Sequence, residues 1–367
     1  MFAAGGTGGH VYPALAIAHA LKSLEPSVSI TFAGTRERME WDVVPRAGFP
    51  ICPISAMGLQ RNLAPRNVLF PFKLVEGIIQ SLRLIEGLET DVVIGTGGFV
   101  AGPVLLAARM KGRPIVIQEQ NAYAGLTNRV LARWATRIHI AFAEAEGDFP
   151  PGKCMLTGNP TRPELSVADR KSGRMFYDVP HDANVLFVFG GSLGSLALNA
   201  ALEDQLADLL VDEKRIIIWQ TGARYFERIQ AGISLHPRLR LVKYVNRMDM
   251  AYAAADLVLS RAGAITCSEL MVTGTPAVLV PSPNVAEDHQ TKNARSMQEA
   301  GAAVLLPELD LKSGLIREVN ALANDAGRRK EMAAAARRLA RPNAAVDIAN
   351  SVLALVEKDR LTTLGEA

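Results

Sequence analysis

A chain of 367 residues is too long for one ordinary domain and suits two of about 150–180 residues each. Forty Lys and Arg against thirty-seven Asp and Glu leave a net charge of +3, too small to argue for nucleic-acid binding, while 49% hydrophobic and 21% charged residues exclude global disorder. The three cysteines, Cys52, Cys154 and Cys267, are scattered and odd in number, which excludes a disulfide framework and a Cys-based zinc site and suits a reducing compartment.

The first twenty-one residues carry no Asp, Glu, Lys or Arg, but they lack a basic leader and are broken by Gly5, Gly6, Gly8, Gly9 and Pro13, so they do not read as a secretory signal. Strands are expected at 28–33, 91–95, 114–118, 137–141 and 153–157 in the first half. In the second half they are expected at 184–189, 215–220, 239–244, 256–259, 276–280 and 303–306. Most are unbroken apolar runs, as in strands buried on both faces, and helical stretches such as 12–24, 100–111, 196–210 and 290–300 separate them. Only residues 1–4 precede the first glycine loop, so either the first strand is short or the sequence lacks a few residues before it. The uncharged stretch 183–202 nears membrane-spanning length, but glycines and serines at its middle make it strand, turn and helix. The protein is expected to be soluble, or at most attached to a membrane surface.

Gly158-Asn159-Pro160-Thr161-Arg162-Pro163 punctuates the chain at its middle. The fold class expected is therefore α/β: two doubly wound, Rossmann-like parallel-sheet domains, 1–160 and 161–342, facing a cleft with their strand-end loops.

Three strand–glycine–helix turns carry the chemistry: Gly5-Gly6-Thr7-Gly8-Gly9-His10, Gly95-Thr96-Gly97-Gly98-Phe99 and Gly190-Gly191-Ser192-Leu193-Gly194-Ser195. Each lets backbone approach a ligand and is followed by helix N-terminal amides, a combination that suits phosphate; the ordinary alternative is a tight turn. None fits the Walker pattern, Val11 breaks the dinucleotide fingerprint, and no D-x-D or H-E-x-x-H occurs. A departing diphosphate would then be stabilised by amides, a helix dipole and a cation, for which Arg162 is a candidate; it also reads as a plain surface arginine. His10 is placed to take a proton from a hydroxyl, or else serves as a helix-terminal structural residue.

Further along, Ser260-Arg261-Ala262-Gly263-Ala264-Ile265-Thr266-Cys267-Ser268-Glu269 reads as a glycine turn whose helix carries Glu269. That carboxylate suits a vicinal diol such as ribose, or simply the helix dipole. Glu287-Asp288-His289-Gln290-Thr291-Lys292-Asn293 opens another helix with side chains that could read sugar hydroxyls or cap the helix. In 62–88, Phe72, Val75, Ile79 and Leu82 form an expected core stripe. Leu69, Phe70, Leu74 and Ile78 fall partly outside it, among Arg61, Arg66, Lys73 and Arg83, a pattern that suits either a buried helix or an anionic membrane surface.

Taken together, the segments 4–16, 95–103, 118–129, 158–162, 190–195, 260–269 and 288–294 resemble, in order, those of the MurG family of bacterial peptidoglycan glycosyltransferases over essentially the whole chain. Small departures are Ala262 and Ser195, where serine and alanine are usual. The resemblance implies a GT-B inverting hexosyltransferase that moves N-acetylglucosamine from UDP-N-acetylglucosamine to the 4-hydroxyl of lipid I (undecaprenyl-diphosphate-linked N-acetylmuramoyl pentapeptide), making lipid II and UDP. It implies donor contacts at Thr7, Gly8, Gly9, Asn121, Arg162, Ser192, Val245, Gln290 and the run Ala264, Ile265, Thr266, Cys267, Ser268 and Glu269. Gly97 and Gly98 would face the acceptor diphosphate, His10 would be the base, and no metal or cofactor would be needed. It further implies an acceptor- and membrane-binding first domain, a donor-binding second domain and a last helix, 343–367, packed back on the first. The setting would be peripheral, at the cytoplasmic face of the inner membrane on anionic lipid, in complexes with cell-wall and division proteins and without nucleic acid. A UDP-N-acetylglucosamine epimerase and a non-catalytic nucleotide-sugar-binding scaffold are the rival readings.

Overall fold

The computed structural model describes residues 1–58, 68–234 and 236–365. Its backbone divides into two units, Met1–Thr161 with Asn343–Ala367, and Arg162–Pro342.

The first unit is built on seven strands: β1 (Phe2–Ala4), β2 (Phe32–Gly34), β3 (Ile51–Pro53), β4 (Val93–Gly97), β5 (Ile115–Glu119), β6 (Arg137–Ile140) and β7 (Cys154–Leu156). They pair in the order β3-β2-β1-β4-β5-β6-β7, every pair parallel. Helices α1 (Gly8–Leu24), α2 (Glu40–Arg46), α3 (Phe70–Gly87), α4 (Ala101–Met110) and α5 (Leu126–Leu131) connect them. The apolar runs of β1, β4 and β5 are buried along their whole length, as crossover helices on both faces require. Strand β3 is one the pattern did not predict. Pro50 precedes it and Pro53 ends it, and proline is tolerated there because β3 is an edge of the sheet.

The second unit holds β8 (Asn184–Phe189), β9 (Arg215–Gln220), β10 (Leu239–Val242), β11 (Leu257–Ser260), β12 (Ala277–Leu279) and β13 (Val304–Leu305). Their order is β10-β9-β8-β11-β12-β13, again all parallel. Its helices are α6 (Arg170–Phe176), α7 (Leu196–Leu209), α8 (Phe226–Gly232), α9 (Met248–Ala254), α10 (Ala264–Thr273), α11 (His289–Glu299), α12 (Leu311–Ala323) and α13 (Ala326–Leu339). In each unit the chain adds strands to one side, then returns to the other: at β1/β4 in the first and β8/β11 in the second. Those reversals are the topological switch points at which open α/β sheets bind ligands, and all the glycine turns of interest follow one of these four strands.

The last helix, α14 (Ala344–Gly365), packs on α1 in the first unit through Ile348, Ala349, Val352 and Leu355. Arg137 donates to the Ser351 carbonyl and hydroxyl oxygens, both at 2.8 Å, and buried His139 lies 3.1 Å from the same hydroxyl. Burial, helped by the Arg137 charge, pushes the His139 imidazole down to about 4.

Helix α3 corrects the expected core stripe. Its buried residues are Gly77, Ser81 and Ile85; of the expected stripe Leu82 packs against the core, whereas Phe72, Val75 and Ile79 are 71%, 56% and 45% exposed. The cause is close packing against α4 and the segment after β3: a Cβ on Gly77 would lie 2.1 Å from the Ser55 carbonyl oxygen and 3.1 Å from Pro103 of α4, so the face with the smallest side chains turns inward. Residues 62–67 of that expected segment, with Arg61 and Arg66, lie outside the described residues. Among the described residues no helix is long and apolar enough to cross a membrane.

Candidate active site

In the first unit, β1 ends at Ala4 and the chain turns through Gly5 and Gly6 into α1. Thr7 stands at the N-cap of α1 but makes no side-chain cap, and Gly8 and Gly9 open the helix with amides that have no partner one turn back. Gly6 differs. Its amide donates to the buried carboxylate of Glu40 at 3.1 Å, which also accepts from the Thr35 amide and hydroxyl. Gly97 and Gly98, after β4, close on the same turn. Gly98 has φ of +78°, and a Cβ there would sit 2.2 Å from the Gly5 carbonyl oxygen, so only glycine fits.

His10, in the first turn of α1, is half-buried. Its Nδ1 lies 3.0 Å from the Thr96 carbonyl oxygen and 2.9 Å from Gln120 Oε1, while the Thr96 hydroxyl donates to the His10 carbonyl at 2.8 Å. Glu119, at the end of β5, organises the turn that follows. One of its oxygens accepts from the Asn121 amide and side chain, the other from the Gly125 amide and the Asn128 side chain. Asn121 is thus held in a fixed pose beside His10's partner Gln120. A small cavity of about 100 Å³ opens beside the turn after β4, between Thr35, Arg38, Met57 and Phe99.

In the second unit, Ser192 is exposed on the turn after β8. Helix α7 begins only at Leu196, with Ser195 as its N-cap accepting from the Leu198 amide, so Ser192 belongs to the loop and not to the helix. Two side chains from neighbouring strands hold this loop. Gln220 donates to the Gly191 carbonyl at 2.9 Å and accepts from the Val245 amide at 2.8 Å, joining two candidate donor-binding loops. Arg261 donates to the Ser195 hydroxyl at 3.0 Å, to the Val280 and Pro281 carbonyls, and to Glu308.

Glu269 lies on α10, 5% exposed. The Tyr252 hydroxyl donates to one of its oxygens at 3.0 Å, and Arg162 Nε stands 3.9 Å from the other. Burial raises the Glu269 carboxyl above the usual range, opposed by the Arg162 charge and the Tyr252 hydrogen bond. Burial likewise lifts the Tyr252 phenol well above its ordinary value, with Glu269 adding to the shift. Ala264, Ile265 and Thr266 are partly exposed at the start of α10; Ser268 is buried against the Ala264 carbonyl. The Cys267 side chain is in the core and its thiol is pushed up to about 12, so any contact it makes with a ligand is through backbone. Gln290, in the first turn of α11, accepts from the Ser282 amide at 2.9 Å, which orients its NH₂.

The candidates thus collect by unit: Thr7, Gly8, Gly9, His10, Gly97, Gly98 and Asn121 around β1, β4 and β5, and Arg162, Ser192, Val245, the start of α10, Glu269 and Gln290 in the second. A cavity of about 500 Å³ at the opposite, strand-start end of the second sheet is separate from them. Its three arginines are engaged, Arg170 by Asp256, Arg329 by the Leu322 and Ala323 carbonyls, and Arg337 by the Thr273 carbonyl. No group of three or more His, Cys, Asp or Glu side chains suited to a metal occurs among the described residues.

The model of the glycosyltransferase family 28 N-terminal domain matches residues 1–140, and that of the family's C-terminal domain matches residues 185–350. This chain belongs to glycosyltransferase family 28. Its relatives include a protein of Salinibacter ruber, 55% identical over 97% of this chain and 96% of its own length. Another, from Flavobacterium psychrophilum, is 42% identical over 97% of both. Both are named UDP-N-acetylglucosamine–N-acetylmuramyl-(pentapeptide) pyrophosphoryl-undecaprenol N-acetylglucosamine transferase. The crystal structure of Acinetobacter baumannii MurG superposes with a TM-score of 0.78 at 32% identity, covering 98% of this family 28 chain and 99% of that one. The two Rossmann-like parallel sheets are those of GT-B glycosyltransferases.

Glu40, Gln120, Gln220, Tyr252 and Arg261 were given no role from sequence. Gln118-Glu119-Gln120-Asn121, four polar residues ending an apolar strand, was a usable signal for one of them. Nothing local marks Tyr252 as the partner of Glu269.

Proposed function

We propose that this chain is the hexosyltransferase of its relatives: it moves N-acetylglucosamine from UDP-N-acetylglucosamine to the 4-hydroxyl of lipid I, giving lipid II and UDP in peptidoglycan synthesis. The observation that carries this is 55% identity along 97% of the chain to a transferase so named. In this reading residues 1–160 take the acceptor and 161–342 the donor.

Inverting transfer is one in-line displacement in which the acceptor hydroxyl loses a proton and the diphosphate gains charge. His10 takes the proton. Gly97 and Gly98 face the acceptor diphosphate, and the amides of Gly8 and Gly9 with Thr7 and Asn121 contact the donor. Glu269, held by Tyr252, accepts from the ribose hydroxyls while Ala264, Ile265, Thr266, Cys267 and Ser268 line the uridine. Val245 and Gln290 complete the donor contacts. Ser192 and Arg162 meet the diphosphate; Arg162 is half exposed and only loosely paired with Glu269, which leaves it able to turn toward added negative charge.

The exposed face of α3, with Phe72, Val75 and Ile79 beside Lys73 and Arg83, supports a peripheral seat on anionic lipid at the inner face of the cytoplasmic membrane. Association with cell-wall and division proteins belongs to the same reading.

The test is UDP release from UDP-N-acetylglucosamine with a short-chain lipid I analogue. Release that requires both substrates is expected. Donor consumption without acceptor would point to an epimerase, and UDP binding without release to a scaffold.

A further inference from the structure

The geometry points to Gln120 as a positioning residue that fixes His10 in its Nδ1–H tautomer and thereby presents Nε2 as the proton acceptor; this rests on reading His10 as the base. Gln120 is 2% exposed and its amide has one orientation. Its nitrogen lies 2.7 Å from the Thr96 carbonyl oxygen, 2.9 Å from the Gln118 carbonyl oxygen, and against Gln118 Oε1. Turning the amide over would set an oxygen against three oxygens. Gln120 Oε1 therefore faces His10 Nδ1, at 2.9 Å, and the second group beside Nδ1 is again an oxygen, that of Thr96. With acceptors on both contacts, Nδ1 must carry the hydrogen, and a neutral imidazole protonated there has its lone pair on Nε2.

The arrangement is locked from behind. Gln118 donates to Asn159 Oδ1 at 2.9 Å, and Asn159 donates to the Gln120 carbonyl at 2.9 Å, so three buried amides close a ring among themselves. No member of this ring is charged. The carboxylates on neighbouring elements are held elsewhere, Glu40 by Gly6 and Thr35, Glu119 by Asn121, Gly125 and Asn128. His10 is thus aimed by neutral dipoles, which set its direction.

The experiment combines ¹⁵N NMR of the histidine-labelled full chain with steady-state kinetics of UDP release, using the lipid I analogue. In the unsubstituted protein the His10 ring should show a protonated Nδ1 and a bare Nε2; a dominant Nε2–H form would overturn the proposal without any variant being made. Gln120→Leu should lower kcat by about ten- to a hundredfold with KM for the donor nearly unchanged, and should mix the two tautomers. Gln120→Glu should restore a single tautomer and move the acid limb of the kcat–pH profile up by about one unit, since a carboxylate on Nδ1 favours the imidazolium. A merely structural Gln120 would change stability and leave tautomer and pH limb alone, and that result would overturn the proposal. His10→Ala separates the two claims: near-normal turnover in that variant defeats the base reading itself, whereas lost turnover with silent Gln120 variants defeats only the positioning.

Discussion

The turns after β1 and β8 occupy the same topological place in their two units, yet different groups lie behind them. Behind the first is the buried Glu40 carboxylate, which takes the Gly6 amide, and a ring of neutral amides that ends on His10. Behind the second is the Arg261 guanidinium, whose Nε donates to Ser195 while Glu308 accepts from its far side. Strand order decides where a ligand loop emerges, and the groups packed behind it decide how its backbone is held. In the proposed reading the second turn meets the leaving diphosphate, and the first carries donor-contacting amides together with His10.

Substitutions that act on chemistry or on binding sharpen this contrast. The largest effect expected is from His10→Ala, a fall in turnover of about 10²–10⁴ with donor affinity little changed, measured by UDP release and by donor titration. Glu269→Ala should do the reverse. If Glu269 receives the ribose hydroxyls as proposed, its loss should weaken UDP binding by about ten- to a hundredfold, readable by calorimetry. If both variants lost affinity and turnover equally, the division of labour between the units would be wrong.

A smaller effect tests the outer face of the first unit. Phe72→Glu should cut sedimentation with phosphatidylglycerol vesicles by about tenfold, since a buried aromatic ring contributes about 1.5–3 kcal/mol, while activity on a water-soluble acceptor stays normal. Equal vesicle binding by the variant would remove α3 from the membrane contact.

Acid should distinguish the units as well. His139 titrates at about 4 when folded and near 6.5 when unfolded, so between these values the unfolded chain binds the extra proton. The first unit should therefore lose stability as pH falls from 6.5 to 4, by at most about 1.4 kcal/mol per pH unit, and His139→Asn should flatten that slope in thermal unfolding. Glu269, raised by burial, has the opposite sign: its contribution improves as pH falls through its folded value. The last expectation is of no effect. With the leaving diphosphate met by amides and Arg162, a chelator should leave turnover unchanged; strict metal dependence would contradict that account.

Much of this protein was legible from local pattern. Strands β8 and β9 fall where their apolar runs said they would, because a strand buried on both faces needs only its own composition to be recognised. The glycine turns were equally visible, since turn chemistry is local. Helix α3 was legible as a helix but not in its phase. Its apolar stripe and its small-residue face both repeat at helical spacing, and which one turns inward depended on how closely α4 and the Ser55 carbonyl approach. Edge strand β3 was missed because three residues, the last of them a proline, carry no periodic signal.

By itself the sequence determined the α/β class, the alternation of elements and the family, properties written in runs, turns and ordered motifs. Only the tertiary structure decided that Gln120 holds His10, that Tyr252 holds Glu269, and that Arg261 and Glu40 lie behind the two glycine turns. Those pairs are separated by 17 to 110 positions, and nothing in a local pattern specifies which distant polar groups satisfy one another. Burial makes that choice, because a polar group removed from water must find a partner within hydrogen-bonding reach.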